Sequence, residues 1–278
     1  MKKLVLALTA VAALTTSASA ADLGARPYAK APVPVAPVYS WTGFYIFGGG
    51  GGGLWNADSN VQSTGVVGGF GNAFGPAGAS LTRDQRLGGS GWFGTVGIGY
   101  DWQFSKWVAG IFADGQFGDI RGSLSDPFFQ TEGREKLRTS YAAGVRVGYL
   151  VAPNVLSYVN GGYSGSEWSG TSHTDLTGAV AGTLTTTNSF RRNGWFIGGG
   201  VENNLDIFGI SAPGWFVKTE YRSAFYDRIS LPETLGPGAA PLVGPTGTAV
   251  TFKPWNQTIS TSLVYRFNWG GAPVGANY

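Results

Sequence analysis

Residues 258–267 alternate strictly between oily and polar positions. Ile259, Thr261, Leu263, Tyr265 and Phe267 fall on one face, and Thr258, Ser260, Ser262, Val264 and Arg266 on the other. Side chains two apart in a β-strand point the same way, so this spacing predicts a strand with one apolar and one polar side. The pattern recurs, and eight strands are expected: 41–54, 89–103, 107–117, 136–151, 155–168, 192–203, 215–225 and 255–267. The fifth is the least regular, and Asn160-Gly161-Gly162 reads as a bulge in it. The connections alternate in length. Those at 104–106, 152–154 and 204–214 are short; those at 56–87, 118–135, 169–191 and 226–254 are long and rich in Gly, Ser, Thr and Pro. Outer-membrane barrels pair short periplasmic turns with long outer loops in this way. The fold class expected is therefore all-β: an eight-stranded antiparallel transmembrane up-and-down β-barrel with four long outer loops and short periplasmic turns.

The amino terminus adds an address. Lys2 and Lys3 precede an apolar run at 4–14, and Ala18-Ser19-Ala20 fits a cleavage site, so residues 1–20 read as a secretory signal peptide. Residues 21–40, with Pro27, Pro32, Pro34 and Pro37, read as an Ala/Pro-rich periplasmic linker. The barrel is expected over 41–267 and a C-terminal extension over 268–278. A later run of about 18 apolar residues, long enough for a spanning helix, is absent from the sequence. A spanning chain without such a helix must close as a barrel.

Alternation alone does not say which face is wet by lipid. In the second strand Trp92, Val96, Ile98, Tyr100 and Trp102 oppose Gly91, Phe93, Thr95, Gly97, Gly99 and Asp101; in the sixth, Trp195, Ile197 and Val201 oppose Phe196, Gly198, Gly200 and Glu202. An eight-stranded barrel is just wide enough for its own side chains, so stacked tryptophans would overfill it and the smaller face is expected inside. Charges agree. Arg138 and Arg146 share a face of the fourth strand, and Lys218, Glu220 and Arg222 a face of the seventh. A cation facing mid-bilayer lipid costs roughly 2–4 kcal/mol. A luminal network of Asp114, Arg138, Arg146, Glu202, Lys218, Glu220, Arg222 and Arg266 follows, with bulky cations closing the pore. Trp41, Tyr45, Tyr100, Trp102, Trp107, Trp215, Tyr265 and Phe267 crowd the strand ends at the short-turn side, where an interfacial aromatic girdle is expected.

Composition narrows the chemistry. The chain has 46 glycines and only 13% charged residues, about half the usual share for a soluble domain. The formal charge of +3 includes Lys2 and Lys3, which leave with the signal, so no nucleic-acid partner is expected. Cysteine is absent, which excludes disulfides, thiolate metal sites and an acylated lipoprotein anchor. A G-x-G-x-x-G lies within 48–53, but no helical periodicity follows it, as a dinucleotide site requires. His173, the single histidine, sits beside Asp175 in the third long loop. Solvation there is the plain reading; catalysis would need an ordered serine and acid, and axial haem ligation an apolar platform. No catalytic residue, metal site or resident cofactor is expected.

Ser40-Trp41-Thr42-Gly43-Phe44-Tyr45-Ile46, Gly97-Ile98-Gly99-Tyr100-Asp101-Trp102-Gln103, Gly194-Trp195-Phe196-Ile197-Gly198-Gly199-Gly200-Val201-Glu202 and Leu263-Val264-Tyr265-Arg266-Phe267-Asn268-Trp269 carry a resemblance. On these segments and the Ala/Pro-rich lead-in, the chain resembles the alphaproteobacterial outer-membrane immunogenic proteins, small porin-family barrels of eight strands. The resemblance implies a non-enzymatic surface protein of the Gram-negative envelope with a stabilising, adhesive or antigenic role, and haem binding in some members. Implied partners are outer-membrane lipid and lipopolysaccharide, the barrel assembly machinery, and extracellular ligands met through the loops. A small diffusion porin and a haem-binding barrel using His173 stay open as alternatives. Many bacterial barrels end on an aromatic residue read during assembly, whereas here residues 268–278 follow Phe267, so the signal is either internal or Tyr278.

Overall fold

The computed structural model describes residues 40–267. The expected signal peptide, most of the linker and the C-terminal extension lie outside the described residues. The described residues form twelve strands in order: β1 Gly43–Ser59, β2 Val61–Ser63, β3 Gln85–Phe104, β4 Trp107–Asp126, β5 Thr131–Ala152, β6 Val155–Trp168, β7 Thr171–Asp175, β8 Thr183–Thr187, β9 Phe190–Asn204, β10 Trp215–Tyr226, β11 Ile229–Leu235 and β12 Pro245–Phe267.

Eight of them close a ring in the order β1-β3-β4-β5-β6-β9-β10-β12, with β12 returning to β1. Every pairing is antiparallel, from Phe44↔Phe267 at one end of the seam to Asp58↔Lys253 at the other. These are the eight strands the alternation predicts, each in its expected place. The outward positions through the middle of the ring are exposed and apolar, including Val96, Ile98, Ile111, Val145, Val159 and Ile197. Soluble proteins rarely present such a belt, whereas a bilayer wets it at no cost.

The wall extends beyond the expected strands. β4 and β5 run to Asp126 and from Thr131, so the second long loop shrinks to a tight turn at 127–130, with Gln130 at φ 53°. Two register shifts hid this, one between Phe117 and Ile120 and one between Leu137 and Thr139. At the second, Arg138 is the extra residue of a bulge. The inward face of β5 changes there from even numbers (Ala142, Arg146, Leu150) to odd ones (Thr131, Glu135, Leu137). A period-two reading loses the strand at such a point. The bulge expected at Asn160-Gly161-Gly162 is not formed. β6 keeps register there, with Gly162 opposite Gly144, where a Cβ would strike the Ala143 carbonyl.

Above the lipid belt the ring exchanges strands. β6, β9 and β10 end at Trp168, Phe190 and Tyr226; β7 then pairs with β5, β8 with β7, β11 with β8, and β12 with β11. β2 continues β1 and pairs with β12 through Thr248↔Ser63. Between β3 and β4 the backbone register reaches Gly89↔Gly122, and beyond it Gln85 donates from Nε2 to the Ser125 carbonyl at 2.8 Å. The long third and fourth loops therefore build an outer chamber on top of the barrel.

Candidate functional site

The lumen is layered. At membrane level the first layer joins four strands through two arginines and two acids. Arg146 of β5 donates from Nε to Asp101 Oδ1 at 2.9 Å and from Nη1 to Glu202 Oε2 at 2.9 Å. Arg266 of β12 donates from Nη2 to Glu202 Oε1 at 2.7 Å, pairs with Asp101 Oδ2 at 2.8 Å, and reaches the Trp41 carbonyl at 3.1 Å. Asp101 and Glu202 are 0% exposed. A second layer joins β4 to β10, where Arg222 donates twice to Asp114 (2.9 and 2.7 Å) and once to Glu220 (2.7 Å). Glu220 also accepts from the Tyr158 hydroxyl at 2.8 Å and lies 3.8 Å from Lys218 Nζ. Across these two layers four cations and four anions balance, as burial of charge demands.

Seven of the eight expected luminal charges meet here. Arg138 does not: it is exposed at the β5 bulge, which turns it out of the lumen. Asp101 was missed as a network member although it lies on the inward parity of its strand. Its place at the strand end, beside the short turn, hid its partners.

Rings pack around these charges. Arg146 lies 4.6 Å from the Tyr45 ring centroid, Lys218 3.3 Å from Phe47, Arg222 4.6 Å from Phe196 and Arg266 4.7 Å from Trp41. Cation–π contacts of this kind strengthen where water is excluded. Trp41 and Tyr45 were expected in the outer girdle, yet they are 0% and 1% exposed and face the lumen. On β1 the bulky residues Phe44, Tyr45, Ile46 and Phe47 occupy both parities, so size could not assign the faces. The other expected girdle members gather in contacts at the short-turn end: Tyr100 with Trp102 at 4.8 Å, Trp107 with Tyr149 at 5.2 Å, Trp215 with Tyr265 at 4.9 Å, and Tyr265 with Phe267 at 4.9 Å.

The lumen is not lined only by small groups. Inward glycines are recesses for rings from neighbouring strands: a Cβ on Gly97 would strike Phe47, and one on Gly99 would strike Tyr45. The run at 48–53 serves the wall in the same way. β1 passes straight through it, and a Cβ on Gly51 would meet the Ile259 carbonyl of β12. No helix follows, so the dinucleotide motif is excluded.

Above the charges sits an apolar plug. Trp55, Trp168, Phe190 and Phe252 contact one another edge-on or stacked at 5.1–5.9 Å. Trp55 fits because Gly89 and Gly122 face it, and a Cβ on either would reach its indole. Tryptophans therefore do stack inside, at a level where glycines make the room. Two cavities between the layers, one beside Arg222 and Tyr226 and one beside Phe93 and Leu137, hold about 10 Å³ each, about one water molecule.

The third layer is the polar chamber. His173 of β7 is fully buried, with Nδ1 3.5 Å from Thr131 Oγ1 and 3.9 Å from Glu233 Oε1. Burial lowers its pKa to about 4, which keeps the ring neutral. Glu135 is buried nearby, hydrogen-bonded by Thr171 Oγ1 at 2.6 Å, and burial raises its pKa to about 7. The solvated histidine expected from the sequence is thus enclosed, because β7 became part of the wall. Its surroundings are threonines and carboxyls rather than an apolar platform, which leaves no face for haem. Among the described residues no group of three or more His, Cys, Asp or Glu side chains is arranged to hold a metal ion.

Known proteins bear on this geometry. The chain is 28% identical over 233 residues to the 31 kDa outer-membrane immunogenic proteins of Brucella melitensis and Brucella suis, covering 80% of this chain and 85% of each relative. No family model matches. Among solved structures, the outer membrane protein OprG from Pseudomonas aeruginosa aligns over 81% of this chain and 97% of its own, at 11% identity and a TM-score of 0.49. Neisserial surface protein A aligns over 82% and 98%, at 11% identity and a TM-score of 0.34. Oily belt, closed ring and named relatives agree: the chain is a β-barrel of the Gram-negative outer membrane, similar to the Brucella outer-membrane immunogenic proteins.

Proposed function

We propose that this barrel is a non-enzymatic structural and surface protein whose lumen is plugged and whose outer chamber meets partners outside the cell. The observation that carries the reading is the layer in which Arg146 and Arg266 together hold Asp101 and Glu202 across the bore. Salt bridges this dry resist opening, because freeing one charge inside low-dielectric surroundings costs several kcal/mol, on the order of 3–5. The aromatic plug above them blocks the remaining bore. Lipid and lipopolysaccharide are the partners of the outer belt, the assembly machinery handles insertion, and extracellular ligands meet the β7–β8 and β11–β12 loops. The Brucella relatives are named as immunogenic, which supports surface exposure of those loops and an antigenic or adhesive role.

Planar-bilayer recording of the purified protein tests this. The plugged reading predicts no stable conductance steps. Reproducible unitary steps would contradict it and favour a small diffusion porin.

A further inference from the structure

The bulge that turns Arg138 out of the lumen delivers it to a particular level of the outer wall. Arg138 is exposed there, and so is Arg134 on the same strand. Among the described residues neither arginine forms an ion pair, since the neighbouring acids are engaged elsewhere. The buried Glu135 accepts from Thr171 at 2.6 Å and from Ser169 at 3.5 Å instead.

Neighbouring strands enlarge the charge. Arg121 of β4 stands opposite Lys136 of β5, and both pair with Asp119, Lys136 at 2.9 Å. Further round, Glu167 of β6 stands opposite Arg191 of β9 and pairs with it at 2.6 Å. Glu132 of β5 accepts from Ser123 Oγ at 2.8 Å. The arc over β4, β5, β6 and β9 therefore carries five cations against three acids.

Its height follows from the register. Thr139 stands opposite Phe117 and Glu167, and Glu167 opposite Arg191, so the lowest charges share a row with the exposed ring of Phe117. Just below, Tyr141, Tyr163 and Trp195 are exposed, the two tyrosine rings 6.4 Å apart. Tyr and Trp of this kind settle at the membrane interface. The cations thus begin where acyl chains end and headgroups start. Neighbouring strands lie about 4.8 Å apart, so an arc over four of them is roughly 14 Å wide. A single phosphate would engage only part of it.

We infer that this arc binds the phosphorylated headgroup of lipopolysaccharide through Arg134 and Arg138, with the acyl chains lying on the aromatic rings beneath. The inference rests on the reading that lipopolysaccharide meets the outer belt, and adds where it is held and by which charges. A guanidinium presents paired N–H donors that match phosphate oxygens, and an arginine without an acid partner breaks no ion pair to bind one.

Binding of fluorescently labelled lipopolysaccharide to the full protein in zwitterionic detergent, read by polarisation, tests the site. The native protein should bind, and bind more weakly as ionic strength rises. The double variant Arg134→Gln/Arg138→Gln should bind about tenfold or more weakly. Lys106→Gln, which removes an exposed cation at the short-turn end, should stay within about twofold. Stripping the phosphates from lipopolysaccharide should weaken its binding to the native protein to the same degree, a measurement that needs no variant. Equal binding by native protein and double variant would refute the site and leave lipopolysaccharide a partner of the belt. Absence of binding by the native protein would refute both. Competition by phosphatidylglycerol or inorganic phosphate as strong as that by unlabelled lipopolysaccharide would also overturn the assignment.

Discussion

Arg146 and Arg266 grip the same two carboxylates, Asp101 and Glu202, although their strands β5 and β12 share no hydrogen bond. The cluster therefore fixes the cross-section of the barrel from inside, joining β3, β5, β9 and β12. Desolvation makes each buried ion costly, and shared partners offset that cost only while the set is complete. Glu202→Ala should destabilise the barrel by roughly 3–5 kcal/mol. Glu167→Ala, which removes the half-buried partner of the exposed Arg191, should cost no more than about 1 kcal/mol. The temperature at which unheated gel mobility converts to the unfolded form measures both.

The lipid belt makes its own prediction. Val159 faces outward in mid-span, opposite Val147 and Gly199, and is 65% exposed. Val243 is 79% exposed but lies in the outer β11–β12 connection. Val159→Arg should cost about 2–4 kcal/mol and lower the assembled fraction, while Val243→Arg should change neither. Equal effects on urea unfolding in lipid would place the belt elsewhere.

Two buried groups of the outer chamber set opposite limbs of a pH profile. The His173 pKa is lowered from 6.5 to about 4, so its contribution is present above 6.5 and lost as pH falls toward 4. The Glu135 pKa is raised from 4.5 to about 7, so its contribution is complete below 4.5 and lost as pH rises toward 7. His173→Gln should flatten the acidic limb and Glu135→Gln the limb between 4.5 and 7, as read by protease resistance of the chamber across pH.

Much of this was legible in the residues, and what was not has definite causes. Period-two spacing placed all eight wall strands, because one side of each strand meets lipid and the other a packed bore. The parity of Lys218, Glu220 and Arg222 put them inside correctly. Arg138 was misplaced because a bulge adds one residue and reverses the faces of β5, an event no alternation rule detects. Trp41 and Tyr45 were misassigned because their inward fit depends on space left by Gly99 and on Arg266, neither adjacent in sequence. β7 and β8 read as loops because their Thr- and Ser-rich runs have no oily face, and β11 because Pro232 interrupts a run of only seven residues.

The most direct test of the inside–outside arrangement uses the protein's own tryptophans. In variants retaining one tryptophan each, reconstituted in lipids brominated along the acyl chains, Trp92 and Trp195, exposed on the belt, should be strongly quenched. Trp41, Trp55 and Trp168, buried in the lumen, should be quenched little or not at all. Equal quenching of both groups, or stronger quenching of Trp55 and Trp168, would contradict a barrel with lipid outside and packed rings and ions within.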